Sequence, residues 1–201
     1  MKITIKNYAN ITLRKVDPDA VKKILLEKKR RAFMVSDGVV TKVDHDVVIY
    51  DEEFDELDPK VITELTKKLS KQTHSTAFAV INYNDETLMC WFYSKGELID
   101  AYNSQPGYLD DKVDEDTPPQ GFNSEELLKF FPDVQIGDLK AVLSRASYPN
   151  EGFCTATDRH ADIVTILRLP RFSVGTGFFT VKIGDIPADL DAGDFVPINV
   201  K

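Results

Sequence analysis

The sequence predicts an α+β fold with an antiparallel-rich sheet, and three observations carry that prediction. Two Asp-Pro pairs, Asp17-Pro18 and Asp58-Pro59, each open a stretch whose apolar residues recur at helical spacing. Alternating apolar and polar segments flank both stretches, giving the order β-α-β-β-α-β of the ferredoxin-like split βαβ unit. Residues 77–102 then read as three strands joined by tight turns, a β-meander that extends the sheet.

At the start of the chain, Ile3 and Ile5, then Ile11 and Leu13, alternate with polar residues as in a half-buried strand or a short hairpin. Asp17 can accept from the free N–H groups of a helix start, and Pro18 suits the first helical position because the N–H it lacks has no partner there. Val21, Ile24 and Leu25 fall on one face of that helix. The basic run Lys28-Lys29-Arg30-Arg31 falls in its expected last turn, where the macrodipole favours cations. Segments 32–35 and 47–50 read as strands with Gly38 between them.

Asp58-Pro59 repeats the start signal, and Val61, Ile62, Leu65 and Leu69 follow on one helical face. The two units are either an internal repeat or two uses of a common helix start. Segment 77–83 is a strand, Asn84-Asp85 turns the chain into 88–93, and Lys95-Gly96 turns it into 98–102. Because Met89-Cys90-Trp91-Phe92-Tyr93 has bulky residues on both faces, that strand is expected to be central and covered on both sides. Cys90 is then a small buried hydrophobe.

The composition changes at 105–122, where Pro106, Gly107, Pro118, Pro119 and Gly121 surround Asp110, Asp111, Asp114, Glu115 and Asp116. This predicts an acidic Pro/Gly-rich loop or linker between a sheet domain, 1–104, and a small helical part, 123–201, packed on it. Asn123 with Glu126 predicts a capping box for a short helix before Pro132, and Asp138 a cap for a second helix through about 147. A third helix, over 157–169, stops at Pro170. Residues 178–183 are expected to form a terminal strand, followed by a loosely structured acidic tail through Asp185, Asp189, Asp191 and Asp194.

Composition narrows the function classes. A chain of 201 residues, 42% hydrophobic and 29% charged, has enough core to fold without staples. Its net charge of −8 repels a phosphate backbone, so nucleic acid is a poor partner and a basic protein a better one. Two cysteines, Cys90 and Cys154, are too few for a secreted disulfide scaffold, and reduced thiols are expected. The alternating N-terminal pattern is unlike a signal peptide and no apolar run suits a membrane span, so the expectation is a cytoplasmic protein with no membrane role. Asn10-Ile11-Thr12 matches a glycosylation sequon, which carries no weight without an export signal.

The candidate nucleophile is Cys154 with His160. A thiol ahead of a helix start gains thiolate stabilisation, an imidazole can take its proton, and Asp158 or Asp162 can orient that imidazole. Asp44-His45-Asp46 suggests a metal, but on a strand His45 points away from its two neighbours. The acidic loop read from Asp110 as a calcium site has Lys112 in place of a ligand and Glu115 in place of the required glycine. Gly175-Thr176-Gly177 lacks the third glycine and the following helix of a dinucleotide loop, and P-loop, GxSxG and HExxH patterns are absent. No cofactor and no metal are therefore expected.

The remaining feature is the turn Tyr102-Asn103-Ser104-Gln105-Pro106-Gly107-Tyr108, whose side chains either read a ligand or satisfy the turn's own backbone. Segments 96–108 (GELIDAYNSQPGY) and 167–178 (LRLPRFSVGTGF) resemble a group of uncharacterised bacterial proteins. That group joins a YNSxPxY turn to a helix ending in LGLP and a VGxGF or VGxGY segment. Arg168 stands where the group has glycine, and the resemblance implies no activity. The leading expectation is a non-catalytic interaction or regulatory protein, of immunity-like type. Its partner would meet Tyr102, Asn103, Ser104, Tyr108, Asp110, Asp111, Asp114, Glu115 and Asp116. The alternative is a small cysteine-dependent enzyme.

Overall fold

The computed structural model describes residues 7–37, 45–108, 113–114, 117–122 and 125–200. Strand β1 (Tyr8–Val16) is buried along most of its length, with Ala9, Ile11 and Leu13 facing one layer and Tyr8 the other. Ile3 and Ile5 lie outside the described residues. Helix α1 (Pro18–Glu27) starts as its sequence dictates, since the Asp17 carboxylate accepts from the Asp19 N–H at 3.0 Å and Val21, Ile24 and Leu25 are buried. It ends before the basic run, with Lys28 at the cap and Lys29 in the left-handed region at φ 54. Arg30 and Arg31 therefore act beyond the helix. Arg30 makes a bidentate pair with fully buried Asp51 and also engages Glu53, while Arg31 pairs with Glu52.

Strands β2 (Ala32–Ser36) and β3 (His45–Asp51) follow, then a 3-10 turn over Glu52–Glu56 that buries Phe54. Helix α2 (Pro59–Gln72) is capped by the Asp58 carboxylate, which accepts from the Lys60 N–H at 2.8 Å. Strands β4 (Thr76–Tyr83), β5 (Thr87–Ser94) and β6 (Glu97–Asn103) form the meander. The first four strands lie in the order β4-β1-β3-β2, all antiparallel, with α1 joining β1 to β2 and α2 joining β3 to β4. Both helices bury their apolar stripes on one face of the sheet, against Ile11, Leu13, Ile49, Ala79 and Ile81.

Two short strands complete an eight-stranded antiparallel sheet of order β7-β6-β5-β4-β1-β3-β2-β8. They are β7 (Gln120–Gly121) and β8 (Val196–Ile198). Gly121 has φ 99, and a Cβ there would stand 1.7 Å from the Ala101 carbonyl oxygen, so only glycine fits that close approach to β6.

The C-terminal helices are α3 (Glu125–Leu128), α4 (Ile136–Leu143), α5 (Ala156–Leu167) and α6 (Phe178–Lys182). Asn123 of the expected capping box lies outside the described residues. Helix α4 begins two residues ahead of Asp138 and stops at Leu143, short of 147. Helix α5 is capped by the Thr155 hydroxyl, which accepts from the Asp158 N–H at 3.0 Å, and it ends on Arg168 in the left-handed region. Residues 178–183 are helical rather than a strand, with Phe178 and Val181 buried one turn apart while Phe179 and Ile183 are each 60% exposed. A segment of six residues is too short for its period to decide between strand and helix. Residues 185–191 form no helix or strand and are largely exposed, and the chain returns to the sheet only at β8, which buries Ile198.

These helices cover the second face of the sheet. Phe78, Val80, Leu88, Cys90 and Phe92 meet Leu139, Val142, Ile163 and Leu167. At the β2–β3 end, Val48 and Tyr50 meet Phe172, Phe178 and Phe195. The strand β5 is thus central with Cys90 fully buried, as the bulk on both its faces requires.

Candidate functional site

The turn after β4 and the start of α5 are tied together. Asn84 and Asp85 both have positive φ, and the Asp85 carboxylate accepts from the Thr157 N–H at 2.8 Å while its carbonyl accepts from the Ala156 N–H at 3.0 Å. Asn82 donates to the Thr157 hydroxyl at 3.0 Å. This fixes α5 so that its next turn carries Arg159 and His160 into the core, both essentially without solvent exposure.

His160 Nδ1 lies 2.8 Å from the Tyr8 hydroxyl, and its ring stacks on Tyr8 and Phe78. Burial pulls the imidazole down to about 3 and pushes the Tyr8 hydroxyl above its ordinary value, so both are neutral. Arg159 meets no carboxylate among the described residues. Its guanidinium donates instead to the carbonyls of Val142, Leu143, Arg145 and Ala146 at 2.8–3.0 Å, closing the end of α4 and shaping 144–147.

Cys154 is half-buried, with Sγ 3.5 Å from the Thr155 carbonyl and 3.8 Å from an Arg145 Nη; Arg145 in turn pairs with Asp162. Asp158 is exposed. Among the described residues, no hydrogen bond joins Cys154 or Asp158 to His160, whose bonded nitrogen faces Tyr8. His45 Nδ1 lies 2.7 Å from the Asp37 carbonyl, while Asp46 engages Arg14 and the Lys15 N–H. Asp44 lies outside the described residues. No group of three or more described His, Cys, Asp or Glu side chains is placed to hold a metal ion.

In the tyrosine-rich turn, most side chains serve the backbone. The buried Tyr102 hydroxyl donates to the Leu143 carbonyl at 2.9 Å, and Asn103 Oδ1 accepts from the Gln105 N–H at 2.9 Å. Ser104 Oγ accepts from the Leu88 N–H at 2.8 Å, and its carbonyl accepts from the Ser147 hydroxyl at 2.7 Å. Tyr108 is half-buried, its hydroxyl accepting from Asn84 Nδ2 at 3.1 Å and its ring edge-on to Tyr83.

Between this turn and segment 144–150 runs a cleft of about 640 Å³. Gln105, Tyr108, Pro118 and Pro119 line it on one side, and Ser147 and Tyr148 on the other. Tyr148 is 42% exposed and packs edge-to-face with Phe153, itself 43% exposed. Tyr108 and Thr117, which bracket the acidic segment in sequence, both line the cleft. Asp114 is among the described residues, whereas Asp110, Asp111, Glu115 and Asp116 are not. Sequence reasoning overlooked the 144–150 wall, because its Pro149-Asn150 turn has no apolar periodicity; a tyrosine beside a proline was the signal present.

No family model matches the chain, and neither a curated protein nor a solved structure matches it significantly. Among the described residues no helix is long and apolar enough to cross a membrane.

Proposed function

We propose that this chain is a non-catalytic, cytoplasmic interaction protein of regulatory type that takes a basic, extended segment of a partner protein into the cleft. One observation carries the reading: Tyr108 and Thr117, the residues that bracket the acidic segment 109–116 in sequence, both line the cleft. Five carboxylates are thereby tethered to a groove whose walls are held by Tyr102, Ser104 and Arg159. Tyr148 and Phe153 offer an exposed aromatic pair beside it, the residue type that anchors interfaces. The carboxylates would steer a basic partner and make its binding salt-sensitive. The surroundings of Cys154 and His160 favour this reading over a cysteine enzyme, since the imidazole is buried against Tyr8 and the thiol sits beside Arg145.

The test is capture from host lysate with wild-type protein and with a variant carrying amides in place of Asp110, Asp111, Asp114, Glu115 and Asp116. Cross-linking mass spectrometry then locates the partner's contact. A Lys/Arg-rich partner segment linked to 144–150, released by salt and lost from the variant and from Tyr148→Ala, is the expected result. Capture indifferent to all of these changes overturns the proposal. Turnover of a thiol-reactive probe abolished by both Cys154→Ser and His160→Gln would establish the enzyme instead.

A further inference from the structure

A second cavity, of about 370 Å³, opens on the same face of the sheet at the other end of β4. Thr76 at the start of β4 lines it, whereas the first cleft lies beyond the end of β4 at Tyr83. About 23 Å of strand separates the two at 3.3 Å per residue. The cavity joins an apolar part to charged and polar groups gathered at it, the combination by which small-molecule sites fix a ligand's orientation.

The buried part of the lining is apolar, with Phe131 and Leu167 at 5% and 1% exposure. Arg14, Lys15 and Arg168 line it as well, against a single carboxylate, Asp133. In a chain of net charge −8 this is a local excess of the opposite sign. The three cations come from two separate elements. Arg14 and Lys15 sit at the bulge where the β1–β3 register shifts between Leu13 and Val16, and Arg168 caps α5.

The cations are also available. Asp46 engages only the Nε of Arg14, at 3.4 Å, and among the described residues no acceptor engages its two Nη groups. The Arg14 guanidinium lies 5.2 Å from the centre of the Phe131 ring, at the junction of the charged and apolar parts of the lining. Asp133 pairs with Arg168 at 3.3 Å, but both side chains are 73% exposed, and an ion pair so wet is easily exchanged for another anion. We infer that this cavity binds a small amphipathic anion, with its carboxylate or phosphate oxygens on Arg14, Lys15 and Arg168 and its apolar body against Phe131 and Leu167.

The backbone provides an unusual handle for the test. Lys15 and Arg168 have φ 52 and φ 53, where glycine is the relaxed residue. Lys15→Gly and Arg168→Gly therefore remove charge without removing a favoured conformation. Binding of phenylacetate and phenyl phosphate is measured by calorimetry and by NMR shift mapping, with benzyl alcohol and inorganic phosphate as the two halves of the ligand. The expected result is saturable binding of both amphipathic anions to wild-type protein, with shifts at Thr76 and Leu167 and affinity falling as salt rises. The double glycine variant should bind them at least tenfold more weakly with an unchanged or higher Tm, while benzyl alcohol distinguishes the two proteins little. If the glycine variant melts lower, Lys15→Asn with Arg168→Asn repeats the comparison, since asparagine also tolerates this conformation. Absence of binding to the wild type, equal binding to the variants, or shifts confined to 144–150 overturns the inference. Only the last of these outcomes bears on the basic-segment cleft, by placing an anion there.

Discussion

At the scale of single residues, His160 and Arg159 are the two groups whose surroundings have the largest consequences. His160 titrates near its ordinary 6.5 when unfolded and near 3 when folded. Above pH 6.5 both states are neutral and the group contributes nothing to the pH dependence of stability. Between about 6.5 and 3 only the unfolded chain takes the proton, so this residue removes about 1.4 kcal/mol of stability per pH unit as pH falls. His160→Phe keeps the stacking on Tyr8 and Phe78 and should lose less stability than wild type between pH 7 and pH 4.5. Urea midpoints at both pH values check this, carboxylates common to the two proteins cancelling in the difference; parallel profiles would contradict it. Arg159→Met should cost about 3–5 kcal/mol, because it removes four charge-assisted hydrogen bonds, two of them buried, that close the end of α4. Chemical denaturation measures that loss. Neither role was legible in the sequence, where polar residues on a helix are assigned to solvent. Arg159 is buried because acceptors from 142–146 surround it, and that is a tertiary fact. Asn10 makes the same point: its sequon is moot because its amide is buried and donates to the Ser173 and Thr176 carbonyls.

At the scale of elements, what the sequence revealed was local chemistry. Asp17-Pro18 and Asp58-Pro59 place both helix starts to the residue, since a carboxylate cap and a proline act within one turn. Asp58→Ala should lower stability by about 1 kcal/mol, read as a shift in the urea midpoint with an unchanged slope; a changed slope would mean that more than the cap was lost. The meander is legible for the same reason, its turns lying at Asn84-Asp85 and Lys95-Gly96, where positive φ is needed. Elements defined by their neighbours stayed hidden. Strands β7 and β8 are too short for a period and exist because β6 and β2 offer open edges. Helix α6 owes its identity to the aromatic layer it covers rather than to its own five residues. Of the candidate binding site, the tyrosine turn and the acidic segment were visible, but the opposing wall at 144–150 was not.

At the scale of the whole molecule, the sheet is shared. Residues 1–104 supply Phe78, Val80, Leu88, Cys90 and Phe92 to a core whose other half comes from beyond residue 122. A core shared in this way should unfold as one unit. Urea transitions followed by Trp91 fluorescence and by far-UV ellipticity are expected to coincide, and residues 1–104 alone should aggregate through the uncovered face. Separate transitions, or a soluble cooperative 1–104 fragment, would instead make the two parts independent domains.

The strands at the two margins of the sheet bear on how a partner can attach. At one side β8 occupies part of β2; at the other, β7 covers the end of β6, leaving a stretch that carries Glu97 and Asp100. Runs of two and three residues give an incoming chain almost no ladder to extend, and carboxylates discourage pairing along the rest. Main-chain zippering, the recruitment mode least selective about sequence, is thereby disfavoured at both described edges. Recognition at the described margins of the sheet is thereby shifted from the main chain to side chains, and so to a partner's own sequence.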